Sequence, residues 1–166
     1  MFKNISFQIE DFLKNCPETL YSQNISPQSG TIGAHTRHIL DHIDAFIKGC
    51  SEYTVNYDIR ERDTLTEKDP KAALSRIKKI NENIHSINAK CIHTERPLKL
   101  AAMTDTNGSF VNIASNLERE FLFIISHTVH HMALIRNLCT QSEFFLNENF
   151  GKASSTLYKE RTQRSC

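Results

Sequence analysis

Apolar residues recur at helical spacing along most of this chain. Near the N-terminus, Phe7, Ile9, Phe12, Leu13, Cys16 and Leu20 fall three and four positions apart, which predicts an amphipathic helix from about Ser6 to Gln23. Pro17 lies inside that window, and its ring clashes with the carbonyl four residues back, so a kink or an earlier stop is expected there. The stretch Asn24 to Gly30 is rich in turn formers and reads as a loop. A second stripe, Ile32, Ile39, Ile43, Phe46 and Ile47, predicts a helix from about Thr31 to Gly49, with Gly49 as its C-terminal stop.

From Cys50 to Lys68 the periodicity weakens and the composition turns polar, as in a long functional loop. Asp69 and Pro70 then supply an N-cap and a first-turn proline, and Ala73, Leu74, Ile77, Ile80, Ile84 and Ile87 carry a third helix to about Ala89. Pro97, Leu98, Leu100, the Asn107-Gly108 pair, Phe110, Val111 and Ile113 predict a short β-hairpin that must lean on the helices. Ser115 and Glu118 have the spacing of a capping box, and apolar residues on every turn to Gln141 make the last long helix the most apolar. Phe144, Phe145, Leu146, Phe150 and Leu157 suit a segment folding back on the helices, followed from about residue 159 by a flexible polar tail.

The simplest arrangement is one all-α domain spanning 1–166, a four-helix bundle with a small β-hairpin before the last long helix. Its 20 Lys and Arg balance 19 Asp and Glu, so the charge term that dominates nucleic-acid affinity is missing and no nucleic-acid partner is expected. No apolar run approaches the 18 or so residues of a membrane span, and Glu10, Asp11 and Lys14 interrupt the N-terminus where a signal peptide is apolar, so no membrane partner and a cytoplasmic location are expected. The five cysteines are widely spaced without a C-x-x-C pair, which predicts reduced thiols, with Cys166 the most exposed.

Of the eight histidines, six fall in two helical windows: His35, His38 and His42, and His127, His130 and His131. His127 and His131, four apart, direct two imidazoles at one point, whereas His130 is turned about 100° from His131. Two ligands from one helix and a third from a facing helix make a three-histidine site for a divalent transition metal such as Zn, Ni or Fe. His35, His38 and His42 lie within about 60° of one helical face, so spacing leaves the third ligand open among them. Other templates fail: there is no H-E-x-x-H, and Glu82 with His85 is a lone E-x-x-H, short of a di-iron set. His85 and His93 read as surface or loop residues.

The run Ile32-Gly33-Ala34-His35-Thr36-Arg37-His38-Ile39-Leu40-Asp41, with His127-Thr128-Val129-His130-His131 in the last long helix, resembles the DinB/YfiT-like superfamily of metal-binding four-helix bundles. The resemblance covers most of the chain. In that family the first ligand is a histidine followed by an aliphatic residue and, three on, an acid, with an Ile-Gly pair upstream. This implies His38 as the ligand, joined by His127 and His131. Many members continue with Arg-Gly-Gln where this chain has Met132-Ala133-Leu134, so no role is carried over from those polar residues. Relatives look like metal-dependent enzymes, some of them thiol S-transferases or isomerases using a low-molecular-weight thiol, others hydrolases.

The resulting expectation is an enzyme acting on a small-molecule substrate, in which the ion activates a thiol or water nucleophile, with a low-molecular-weight thiol as candidate co-substrate. In the long loop Tyr57, Asp58, Arg60 and Arg62 offer groups for an anionic substrate; the plain alternative is a solvated loop. Arg119 and Glu120, two turns before His127, either reach the same pocket or sit exposed beside the helix dipole. His42 and His130 are candidates for orienting ligands or carrying protons. The rival expectation is a non-catalytic, metal-stabilised bundle serving as a binding or interaction module. The oligomeric state stays open, a homodimer being the form such bundles often take.

Overall fold

The computed structural model describes residues 2–25, 28–60, 65–91 and 97–164, without the side chains of 85–91 and 164. Its described residues are mostly helical, with one small sheet. Helix α1 spans Phe2–Asn15 and ends before Pro17, after which a short α2, Glu18–Ser22, resumes. The proline therefore acts as a stop, and the first helix begins four residues earlier than its apolar stripe suggested.

Helix α3, Ile32–Glu52, starts where the Thr31 side chain accepts a hydrogen bond from the Ala34 N–H at 2.9 Å, satisfying one of the open donors of the first turn. It does not stop at Gly49. Tyr53, in the left-handed region at φ 56°, ends it instead, and Gly49 serves close packing. A Cβ there would stand 2.8 Å from Val55 Cα, so only glycine lets the chain fold straight back along the helix. That return forms β1, Thr54–Val55, followed beyond residue 64 by the single turn α4, Leu65–Lys68.

Helix α5, Pro70–Cys91, opens on Asp69, whose Oδ1 accepts from the Lys71 N–H at 2.8 Å. Strands β2, Leu98–Met103, and β3, Phe110–Ser115, form the expected antiparallel hairpin. A feature not foreseen is β1, which pairs parallel with β2 to give a three-stranded sheet in the order β1-β2-β3.

Helix α6, Leu117–Gln141, is capped by Asn116, whose Oδ1 accepts from the Arg119 N–H at 2.8 Å. The expected capping box fails because Ser115 is still strand, and its hydroxyl donates to Glu120 instead. After α6 the chain does fold back: Phe150 is buried with its ring 5.4 Å from Phe12, while Phe145 stays exposed. The residues from 159, expected as a tail, continue helix α7, Ser154–Arg164.

Helix α3 packs against both α5 and α6, and α1 against the same two helices. Ile39, Leu40, Ile43 and Phe46 of α3 join Ile77 and Ile80 of α5 and Ile124, Met132 and Ile135 of α6 in one buried apolar core. Each such side chain contributes about 1.5–3 kcal/mol by leaving water. Asp41, buried on α3, pairs with Arg37 at 2.8 Å and with Arg76 of α5 at 2.9 Å, while Arg37 reaches Glu67 of α4 at 2.7 Å. No helix among the described residues is long and apolar enough to cross a membrane. Cys16, Cys50 and Cys139 are free and buried; Cys166 lies outside the described residues.

Gly33 makes the tightest approach. A Cβ on it would collide with the Glu67 carbonyl oxygen and stand 2.8 Å from Tyr21 Cε1. Gly33→Ala is therefore expected to cost about 1–3 kcal/mol by overpacking and to lower Tm by about 2–12 °C, read by thermal unfolding. An unchanged Tm would show that α4 moves aside freely.

Candidate metal centre

The histidine windows lie on α3 and α6, and packing of these helices turns them toward each other. His38, His127 and His131 each place one ring nitrogen so that all three lie within 4.8 Å of one another. His42 belongs to the same stack, its ring centroid 4.1 Å from His127 and 4.3 Å from His38. His35, left unassigned by spacing, reaches His131 with Nδ1 facing Nδ1 at 3.0 Å.

Hydrogen-bond partners assign the protons. The Ser29 carbonyl can only accept, so His35 Nε2–H donates to it at 2.7 Å, and His35 Nδ1 then accepts from His131 Nδ1–H. That leaves a lone pair on His131 Nε2. On the same logic His42 Nδ1–H donates to the His38 carbonyl at 3.0 Å, freeing His42 Nε2. Arg60 Nη1 donates to His38 Nδ1, so His38 carries its proton on Nε2 and donates to His127 Nε2 at 2.9 Å.

All five imidazoles are held neutral. Burial is the first cause in each case: it pushes His38 down to about 2, with His42, His131, Arg60 and His127 adding repulsion, and His131 down to about 3 with repulsion from His127 first. His42 falls to about 4, and His127 and His35 are lowered by the same burial.

Three imidazoles this close could hold a metal ion. The ligands must be neutral imidazoles with lone pairs, and bonds of about 2.1 Å in a tetrahedral site need nitrogens roughly 3.4 Å apart, so the group would have to draw in and His38 would have to free a lone pair to hold an ion.

A second polar cluster adjoins the first. Tyr57, just beyond β1, stacks on His42 with centroids 5.2 Å apart and donates its hydroxyl to Glu120 Oε2 at 2.9 Å. Glu120 is 0% exposed, and its other oxygen accepts from Ser115 and, at 2.6 Å, from Arg119. Of the two alternatives for Glu120, an exposed charge beside the helix dipole is excluded, since it is a buried carboxylate with three donors. Burial first, then the Glu120 charge, pushes the Tyr57 phenol well above its ordinary range.

Of the four loop residues offered for an anionic substrate, two are tied into the fold. Tyr57 is committed to Glu120, and Asp58 accepts from the Met103 N–H at 2.7 Å, tying the segment to β2. Arg60 sits at His38 and lines an open cavity of about 470 Å³ with Asp41, Asp44, Lys48 and Arg76. Arg62 and His93 lie outside the described residues, as does the His85 side chain. His130 is exposed, its ring edge-on to His131 at 5.2 Å, and Arg119 is half exposed over the Phe123 ring.

No family model matches the chain. A 110-residue stretch, 66% of the chain, is 36% identical to FK506-binding protein 5 of the fungus Rhizopus delemar. The chain spans 28% of that protein's length.

Two outcomes follow from the cluster's electrostatics. His38, His42 and His131 refuse protons in the folded state that they accept near pH 6.5 when unfolded, so their contribution is complete above about pH 6.5 and lost as pH falls toward their folded values. The Tm of metal-free protein is expected to drop between pH 7 and about pH 4.5, and less steeply in His131→Gln; equal slopes would place the acid sensitivity elsewhere. Tyr57→Phe removes one donor from a fully buried carboxylate and is expected to cost about 1–3 kcal/mol in denaturant unfolding, whereas a neutral result would mean that Ser115 and Arg119 suffice.

Proposed function

We propose that this chain is a divalent-metal-dependent enzyme of the DinB/YfiT-like type, a four-helix bundle of α1, α3, α5 and α6 whose His38, His127 and His131 hold the ion. The observation that carries this reading is the convergence of three neutral imidazoles from two facing helices within 4.8 Å. When bound, a divalent ion is a Lewis acid that generates a thiolate or hydroxide nucleophile near neutral pH. Zn, Ni and Fe all suit such imidazole ligands.

The chain's own side chains supply the rest. His35 fixes the tautomer of His131, and the His38 carbonyl fixes that of His42, so each ring presents a defined nitrogen. His42 keeps Nε2 as a proton acceptor beside the three ligands, braced by Tyr57 and Glu120. Arg60 also lines an open cavity of small-molecule size between α3, α4 and α5, whose lining includes none of the histidines, so Arg60 is the link between that cavity and the group. A low-molecular-weight thiol is the co-substrate class suggested by the resemblance, with thiol transfer or hydrolysis as the reaction. FK506 binding is what the fungal protein's name states of that protein; a match to 28% of its length brings no such property here.

Elemental analysis of protein purified without an affinity tag tests the centre. About one equivalent of a transition metal is expected in the wild type and its loss in both His38→Ala and His127→Ala. No metal in the wild type, and none taken up from zinc or nickel solutions, would sink the proposal. Stoichiometric metal that raises Tm, without turnover of thiol-transfer or hydrolytic substrates, would favour a metal-stabilised binding module.

A further inference from the structure

Arg60 occupies a position that the three-histidine reading does not explain. It comes from the segment after β1, belongs to neither ligand helix, and places a permanent positive charge against a prospective ligand. Its Nε is buried and has no hydrogen-bond partner among the described residues, so this donor is unsatisfied where the side chain now lies. On its other side lies the open cavity of about 470 Å³ that it helps to line.

The proton count at His38 decides what this contact means. A guanidinium has donors and no acceptor, so His38 Nδ1 must offer its lone pair to Nη1. A neutral imidazole has one lone pair and one N–H, and here the N–H is on Nε2, facing His127. An ion bound through Nε2 would force the proton onto Nδ1, leaving two donors face to face. An ion bound through Nδ1 would claim the lone pair that Arg60 already uses. The conflict therefore holds whichever nitrogen binds, and a dication beside a guanidinium adds direct repulsion in a partly buried site.

Building on the proposed metal centre, we infer that Arg60 and a divalent ion are alternative occupants of the three-histidine group, so that loading the site turns Arg60 away from His38 and into the cavity it lines. In the metal-free protein the guanidinium satisfies His38 and opposes loosely held cations. In the loaded protein the same side chain becomes a cation on the cavity wall.

Zinc affinity, measured by competition with a chromophoric chelator, tests this in the wild type, Arg60→Met and Arg60→Lys. Methionine keeps an unbranched apolar stem and removes the charge and donors, so Arg60→Met is expected to bind zinc roughly tenfold or more tightly than the wild type, with Arg60→Lys between them. In the wild type, labelling by phenylglyoxal with mass-spectrometric mapping should show Arg60 reacting faster in the presence of zinc. Equal or weaker zinc binding by folded Arg60→Met would overturn the inference while leaving the metal centre standing. Should Arg60→Met fail to fold by circular dichroism, the wild-type labelling decides, and Arg60 reactivity unchanged by zinc overturns it. Zinc bound by none of the three proteins would remove the metal centre and this inference together.

Discussion

Imidazoles crowded between two helices can coexist only if each is neutral, and here the N–H groups of His35, His38, His42 and His131 each have an acceptor. That constraint organises the region around α3 and α6. An imidazole with its N–H unpaired would forfeit a hydrogen bond in a partly buried site, and a protonated one would add a charge among its neighbours. The solution draws acceptors from different parts of the chain: the Ser29 carbonyl ahead of α3, the His38 carbonyl within α3, and the imidazoles of His35 and His127. Among the described residues, the donor from outside the histidines is Arg60. Loop, helices and segment are thereby held to one another through protons whose positions are set by chemistry that can only accept or only donate.

Helix α3 meets this constraint because its other faces are fixed independently. Gly33 admits the α4 backbone and Gly49 admits β1, so both ends of the helix are covered closely by the chain that follows it. Between them Asp41 takes Arg37 and Arg76, while Arg37 also reaches Glu67. Removing such charges from water is costly, and the network contributes chiefly orientation: it sets the rotation of α3 relative to α4 and α5, and hence the direction of His38 and His42. Asp41, about 60° round the helix from His38, is a brace tied to Arg37 and Arg76.

What the sequence disclosed and what it concealed divide along the range of the interactions involved. The long helices and the hairpin follow from apolar spacing, Asp69-Pro70 and Asn107-Gly108, all local signals. His127 and His131 were legible as a pair because helical geometry alone brings them together. Gly49 was misleading, since a glycine at the end of an apolar stripe suits either a stop or a close approach, and Val55 decides between them. Ser115 and Glu118 had the spacing of a cap, but β3 claimed Ser115 and moved the cap to Asn116. Strand β1 and the burial of Glu120 depend on partners far along the chain, Lys99 and Leu100 for one and Tyr57 for the other. The role of His35 was hidden among three equivalent spacings until Ser29 and His131 distinguished it.

The small sheet consequently belongs to the site more than to the core. Its strand β3 is largely exposed and buries little. Yet β1 pairs with β2, Tyr53 accepts from the Lys99 N–H at 3.0 Å, and Asp58 accepts from the Met103 N–H. These bonds fix residues 53–58 at both ends, and that short span carries Tyr57 to His42 and delivers Arg60 to His38. Ser115, where β3 ends, completes the set by donating to Glu120. A two- or three-stranded ribbon is marginal by itself. Here it has a definite task, because without it neither the phenol that braces His42 nor the guanidinium that occupies His38 would have a fixed place relative to the two helices that supply the imidazoles.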